Sequence, residues 1–300
     1  MNVLRRLMKV VAARLSPSSS GVHALDTLVQ LELSREMQSL QSKIRETMPD
    51  NPAARGFKVY SQADEDGIIE EICHRLGLQN GTFIEIGCGD GRENNTHYLL
   101  LKGWRGVWVD GDSANIESIR AALPTSERLR VVEKIVTREN IASAVDEANS
   151  AADYFLDLFS VDVDGNDLAI ALSAIVAWSP KIIVGEYNAK FPYSVVAAVA
   201  YDPDHRWHSD DYHGASLAAW VEALRTQYRL VCCNLAGTNA FFVRSDLASP
   251  FLAYEPASLY QPARFFLTAL RSGHPATLSF LRNELSAQQC YGDPPTINRR

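Results

Sequence analysis

Seven short apolar runs constrain this chain more than any other feature. They lie at 82–88 (TFIEIGC), 105–110 (RGVWVD), 129–136 (LRVVEKIV), 158–164 (LFSVDVD), 181–187 (KIIVGEY), 229–235 (RLVCCNL) and 239–244 (NAFFVR). Helical patterns such as SANIESIRAAL (113–123) and NDLAIALSAIV (166–176) stand between the early runs. Near-continuous apolar strands alternating with helices indicate a parallel sheet covered on both faces. Only a few residues, including Gly237, join the last two runs. That connection is a hairpin, so one of the two strands runs antiparallel to its neighbour. The expected fold class is therefore α/β, with a seven-stranded, mostly parallel sheet that ends in an antiparallel hairpin.

The flanks divide the chain into three parts. Residues 1–55 read as a helical N-terminal extension and linker, 56–250 as the sheet-bearing domain, and 251–300 as a helical tail packed on it. Within the extension, Arg5, Arg6, Lys9 and Arg14 stand among Val3, Leu4, Leu7, Val10, Val11 and Leu15, an amphipathic basic pattern. A second helical pattern carries Leu33, Met37, Leu40 and Ile44, spaced as one stripe. That stripe fits packing on the chain's own domain. A homodimer contact or peripheral membrane contact through the N-terminal helices is the alternative. The segment 48–55 (MPDNPAAR) reads as a linker, and 263–272 and 277–286 as helices of the tail.

No long apolar run suggests a membrane span, and Lys9 and Arg14 interrupt the apolar start in a way a secretory signal would not. The five cysteines lack zinc-type spacing and read as reduced, buried thiols. Together these point to the cytoplasm. A net charge of −7 argues against nucleic acid as a partner.

The sequence Glu85-Ile86-Gly87-Cys88-Gly89-Asp90-Gly91 directly follows the first apolar run and precedes a helical segment. Glycines there allow a tight turn and close approach of a ligand. The second strand ends about twenty residues later in Asp110, the position from which an acid grips ribose hydroxyls. Strand, loop, helix and acid in this order favour a nucleoside-bearing ligand over a plain structural turn. A dinucleotide site prefers G-x-G-x-x-G, whereas this loop has G-x-G-x-G with Glu85 beside it. That acid disfavours a pyrophosphate and suits a cationic, amino-acid-bearing ligand such as S-adenosylmethionine.

The run FIEIGCGDGRENNT followed by GVWVDGD resembles class I S-adenosylmethionine-dependent methyltransferases, and among them the FkbM-like group. YSQADEDGIIEEI (60–72), VDVDGND, GEYN and TNAFFVR add to the resemblance, which spans about residues 57–247. It implies a Rossmann-like fold and methyl transfer to a sugar or polyketide hydroxyl of a small-molecule or glycan acceptor. It also implies that Glu85, Gly87, Gly89 and Gly91 line the methionine part of the cofactor and that Asp110 binds its ribose. Lys134 to Thr137 would meet the adenine edge, and Asp162 would contact the cofactor. Gln62, Glu65 and Asp66 would contact its amino-acid end, or else cap a helix.

Asp164, Glu186 and Asn188 stand after the fourth and fifth strands, where ligands of open parallel sheets bind. Asp162 and Asp164, two apart, would point to the same side of an extended strand. Asp164, Glu186 and Asn188 are thus candidate oxygen ligands for Mg²⁺. The alternative is that Glu186 orients the acceptor by hydrogen bonds alone. The segment 190–217 is long, aromatic and rich in His and Asp, which makes it a candidate acceptor-binding loop. Its candidate bases are His208, His213 and Asp202. Tyr201, Trp207 and Tyr212 could stack on a sugar. A zinc cluster of His205, His208 and His213 is a weaker reading, and His97 reads as a packing or capping residue. N-methylation and a catalytically inactive binding module are the competing functions.

Overall fold

The computed structural model describes residues 19–146 and 156–286. The basic pattern at 1–15 lies outside the described residues. Seven strands form one sheet: β1 (Thr82–Ile86), β2 (Arg105–Asp110), β3 (Leu129–Glu133), β4 (Leu158–Val161), β5 (Ile182–Glu186), β6 (Tyr228–Cys233) and β7 (Asn239–Arg244). Their order is β3-β2-β1-β4-β5-β7-β6. The first five pair in parallel, while β7 lies antiparallel to both β5 and β6. This is the Rossmann-like, hairpin-ended sheet expected from the apolar runs.

The strands are apolar throughout because both faces are covered. Phe83 belongs to one core layer and its neighbours Ile84 and Ile86 to the other. Phe241 and Phe242 divide in the same way. The first layer is shared with α1 (Ser19–Thr47) and α2 (Glu65–Arg75). The second is shared with α5 (Ile141–Asp146), α6 (Asp167–Trp178) and α7 (Leu217–Leu224). Three shorter α-helices complete the set among the described residues: α3 (His97–Leu101), α8 (Pro256–Leu259) and α9 (Ser279–Leu285), with α4 (Ser113–Ala122) following β2. No helix among the described residues is long and apolar enough to cross a membrane. The four described cysteines, Cys73, Cys88, Cys232 and Cys233, are free and buried.

The stripe Leu33, Met37, Leu40 and Ile44 of α1 packs on the chain's own core. Two segments differ from expectation. Residues 48–55 form a buried joint rather than a free linker. Asn51 accepts a hydrogen bond from the Ala53 backbone at 2.9 Å and caps a 3-10 turn, Pro52–Arg55, whose Pro52, Ala53 and Ala54 are buried. In the tail, 263–272 forms only a 3-10 turn, Phe265–Ala269, and then an extended strap. Its backbone is held by distant side chains. Gln30 of α1 donates to the Ala269 carbonyl and accepts from the Arg271 N–H, and Asp26 of α1 pairs with Arg271 through both oxygens. These external bonds replace the internal ladder of a helix.

Candidate active site

The glycine turn sits where β1 leaves the sheet. Gly87 and Cys88 both donate to the Val109 carbonyl, at 2.8 and 3.2 Å, which ties the turn to the end of β2. Gly87 has φ +83° and its α-carbon faces the carbonyl oxygen of Asp162, which any Cβ would overlap. Gly89 has φ +53° and faces open space. The Asp110 carboxylate closes the turn, since Oδ2 accepts from Gly89 N at 2.7 Å and Oδ1 from Asp112 N at 2.8 Å. Turn and acid form one unit here, although twenty residues separate them.

Two cavities meet at this turn, and both are lined by Gly87, Gly89 and Asp162. One, of about 810 Å³, runs over the ends of β2 and β3, past Asp110, Asp112, Lys134 and Val136. Its roof is the segment from Pro203 to Trp207. The other, of about 630 Å³, runs past Gln62, Glu85, Asn95 and Asn239 to a wall formed by residues 268–276.

Not every residue expected to meet a cofactor has a free side chain. Gln62 and Lys134 line the smaller and larger cavities respectively. Glu85 is committed to the backbone: it accepts from Asn95 N at 2.9 Å, Thr96 N at 3.2 Å and the Thr96 hydroxyl. It thereby fixes the entry to α3 while forming part of the cavity floor. Asp66 Oδ2 accepts from the N–H groups of Val59, Tyr60 and Ser61 at 2.6, 2.7 and 3.0 Å. Asp66 therefore shapes the 59–61 loop rather than touching a ligand. Burial pushes its carboxyl up to about 6 despite those three donors.

The acids at the ends of β4 and β5 assemble differently from expectation. β4 stops at Val161, and Asp164 adopts φ +57°, so the alternation that would align Asp162 with Asp164 is broken. Asp164 is exposed and faces His205 and His213. Asn188 is spent on the acceptor loop, donating to the carbonyls of Asp211 and His213 at 3.1 and 3.0 Å while its oxygen accepts from Lys190 N. The expected metal trio Asp164, Glu186 and Asn188 is thus not brought together. Asp167 takes the third place instead: oxygens of Asp162, Asp167 and Glu186 lie within 4.8 Å of one another. Both Asp167 oxygens already accept N–H groups, from Val163 at 2.7 Å and Gly165 at 2.9 Å. Each of those oxygens keeps a further lone pair, so a divalent cation would find its oxygen ligands in Asp162, Asp167 and Glu186 rather than in the expected trio.

The same crowding favours protonation of the cluster. Burial, reinforced by the neighbouring acids, raises the carboxyls of Asp162 and Glu186 well above the usual range. Glu186 Oε2 is buried without a hydrogen-bond partner. Two close carboxylates of this kind share one proton and one negative charge.

The 190–217 segment also departs from expectation. His208 is exposed, and neither it nor His213 lines either cavity. His205, considered before only as a zinc ligand, does line the larger one, with its ring packed where a Cβ on Gly165 would stand. Among the described residues His205, His208 and His213 form no metal cluster. Tyr201 is engaged by Arg138, 3.9 Å above its ring, and by Glu139 at its hydroxyl. Asp202 is exposed, and its carbonyl accepts from the Asn166 side chain at 2.8 Å. Trp207, 42% exposed, overhangs the cavity beside Asp110. The loop thus roofs the larger cavity, while the C-terminal strap walls the smaller one. Sequence reasoning missed Asp167, whose position opening a helix was visible, and the strap, which carries no motif.

No protein-family model matches the chain, and no curated protein is significantly similar to it. Solved structures show a distant likeness to it. A TehB-like S-adenosylmethionine-dependent methyltransferase from Corynebacterium glutamicum is 15% identical, with a TM-score of 0.35 over 71% of this chain and 100% of that one. An S-adenosylmethionine-dependent methyltransferase from Mesorhizobium loti is 14% identical, with a TM-score of 0.38 over 60% of this chain and 100% of that one. The glycopeptide N-methyltransferase MtfA, complexed with S-adenosylhomocysteine, is 14% identical, with a TM-score of 0.36 over 64% of this chain and 94% of that one. The likeness is one of fold.

Proposed function

We propose that this chain is an S-adenosylmethionine-dependent methyltransferase acting on an oxygen acceptor, a sugar hydroxyl of a glycan or natural product. The observation that carries the reading is the meeting of two cavities at the glycine turn, with Asp110 lining one of them and Asp162 lining both. The turn fits the cofactor, because Gly87 leaves no room for a side chain and Gly89 faces open space. Asp110, Lys134 and Val136 would hold the adenosine in the larger cavity, under Trp207. Gln62, Gly87, Gly89 and Asp162 would hold the amino-acid part. The resemblance of FIEIGCGDGRENNT and GVWVDGD to the FkbM-like group supports a hydroxyl acceptor.

The bound cofactor supplies an electrophilic methyl group on a sulfonium. The protein's part is to align the acceptor and remove its proton. Asp162 borders both cavities, and its raised carboxyl, paired with Glu186, is a stronger base than an ordinary carboxylate. Half-burial of the pair beside the two cavities raises the basicity of the carboxylate that takes the proton.

Calorimetric titration with S-adenosylmethionine and, separately, NAD⁺ tests the cofactor. Binding of S-adenosylmethionine alone is expected, and binding of NAD⁺ in its place overturns the reading. With an acceptor found by screening sugars, Asp162→Asn is expected to weaken S-adenosylhomocysteine binding by about tenfold or less while turnover falls about 100-fold. Turnover at the parent rate removes Asp162 from the chemistry. Cofactor binding with no acceptor in a broad screen would favour an inactive binding module.

A further inference from the structure

The smaller cavity changes character along its length. Its inner end, at the glycine turn, presents Glu85 and Asp162. The rest of its lining carries Lys58, Arg92, Arg271 and His274 together with the acids Asp90 and Glu93. Two of those cations are already neutralised, Arg92 by Asp90 at 2.7 Å and Arg271 by Asp26 at 2.7 Å. Lys58 is not. Its half-buried ammonium donates to the carbonyl oxygens of Gln62 at 2.9 Å and Thr268 at 3.4 Å, and among the described residues it has no carboxylate partner. An ammonium has three N–H donors, so one remains.

The position of that ammonium is fixed from both sides. Ser272 donates to the Val59 carbonyl at 2.9 Å, next to Lys58, while Gln30 and Asp26 hold residues 269–271 from behind. Lys58 thus bridges the segment of Gln62, placed above on the cofactor's amino-acid part, and Thr268 of the strap, both of which line the cavity. At about 630 Å³ this cavity is larger than the methionine part of a cofactor requires, so its outer portion is the place for the acceptor.

We propose that the acceptor is anionic and that Lys58 grips its carboxylate or phosphate at this outer wall. The proposal rests on the methyltransferase reading and names the substrate class of that same site. A sugar carrying an acid group would place its charge on Lys58 and turn a hydroxyl inward toward Asp162. The charge is worth spending there, because a hydrogen bond from a charged donor outweighs a neutral one.

The test uses the full chain saturated with S-adenosylhomocysteine, whose own binding is measured first. Failure of that first step sinks the methyltransferase reading itself. Glucuronate, glucose 6-phosphate and glucose are then titrated in parallel. One or both acidic sugars should bind about tenfold more tightly than glucose, and which of them does so separates carboxylate from phosphate. Lys58→Met should erase the preference and Lys58→Arg restore it, both with S-adenosylhomocysteine affinity within about twofold of the parent. Equal or absent binding of the three sugars overturns the proposal. So does a Lys58→Met variant that loses S-adenosylhomocysteine instead, which would assign the lysine to the cofactor's own carboxylate.

Discussion

Glu65 Oε1 lies 2.6 Å from the Asn234 side-chain nitrogen, although 169 residues separate the two. The same oxygen accepts from the Thr238 hydroxyl and from Asn239, and Oε2 accepts from Ala63 N. One fully buried carboxylate therefore ties the start of α2 to the turn between β6 and β7. Its removal leaves buried amides unpaired, and each such group costs about 1–3 kcal/mol. Glu65→Ala should lower unfolding stability by about 3 kcal/mol or more. Denaturant melts check this, and a loss under about 1 kcal/mol would mean the network is dispensable.

The three turn glycines should respond unequally to alanine. At Gly87 the new Cβ overlaps the Asp162 backbone, so Gly87→Ala must displace the end of β4 along with the turn. At Gly91 the nearest atoms belong to the buried side chains of Trp108 and Ile119, at 3.0 and 3.2 Å, a tight contact but not an overlap with backbone. Both positions also carry the strain of positive φ, about 1–2 kcal/mol. S-adenosylhomocysteine calorimetry should show binding abolished in Gly87→Ala and weakened about tenfold or less in Gly91→Ala. The reverse order would contradict the placement of the turn.

His97 gives the protein a specific weakness to acid. It is fully buried, stacked on Tyr60 at 3.8 Å, and burial lowers its pKa from 6.5 to about 4. Between those values the unfolded chain binds more protons than the folded one, so stability falls as the pH drops from 6.5 to 4. The full loss is about 3 kcal/mol. His97→Phe keeps a ring in the stack and removes this slope. Buried acids such as Asp66 titrate with the opposite sign, but they do so in both proteins and cancel in the comparison. Urea midpoints at pH 7 and pH 4.5 should therefore diverge less for the variant, and parallel behaviour of the two would refute the assignment.

Trp207 distinguishes the roof of one cavity from the wall of the other. It overhangs the cavity that holds Asp110 and Lys134 and does not line the one bounded by the strap. Trp207→Ala should weaken S-adenosylhomocysteine about tenfold through lost stacking, with no change in the discrimination among sugars. If sugar binding weakens instead, the loop belongs to the acceptor.

The sheet was legible because its strands are buried on both faces, which writes them as unbroken apolar runs. The antiparallel end of the sheet followed from the short connection between the last two runs, whereas the strand order did not. Side-chain direction at the strand ends was not legible, since it depends on where extended geometry stops. Asp164 shows why: one residue at φ +57° undoes the parity that would have set it beside Asp162. The glycine turn was readable from residue types, yet the sequence could not show that Glu85 and Asp66 are consumed by backbone donors. The strap at 268–276 was least visible. Its conformation is dictated by Gln30 and Asp26, some 240 residues away, and no local pattern encodes such partners.

That strap orders events during synthesis. The turn, Asp110 and the acids after β4 are all made well before residues 268–276, so the nucleoside half of the site can form ahead of the strap. Residues 26–30 are translated long before 269–271 and must wait for them before they find their bonds. A nascent chain arrested before residue 268 should therefore protect its glycine turn from protease while α1 is still cut. Only the released polypeptide gains a pocket that can tell one acceptor from another.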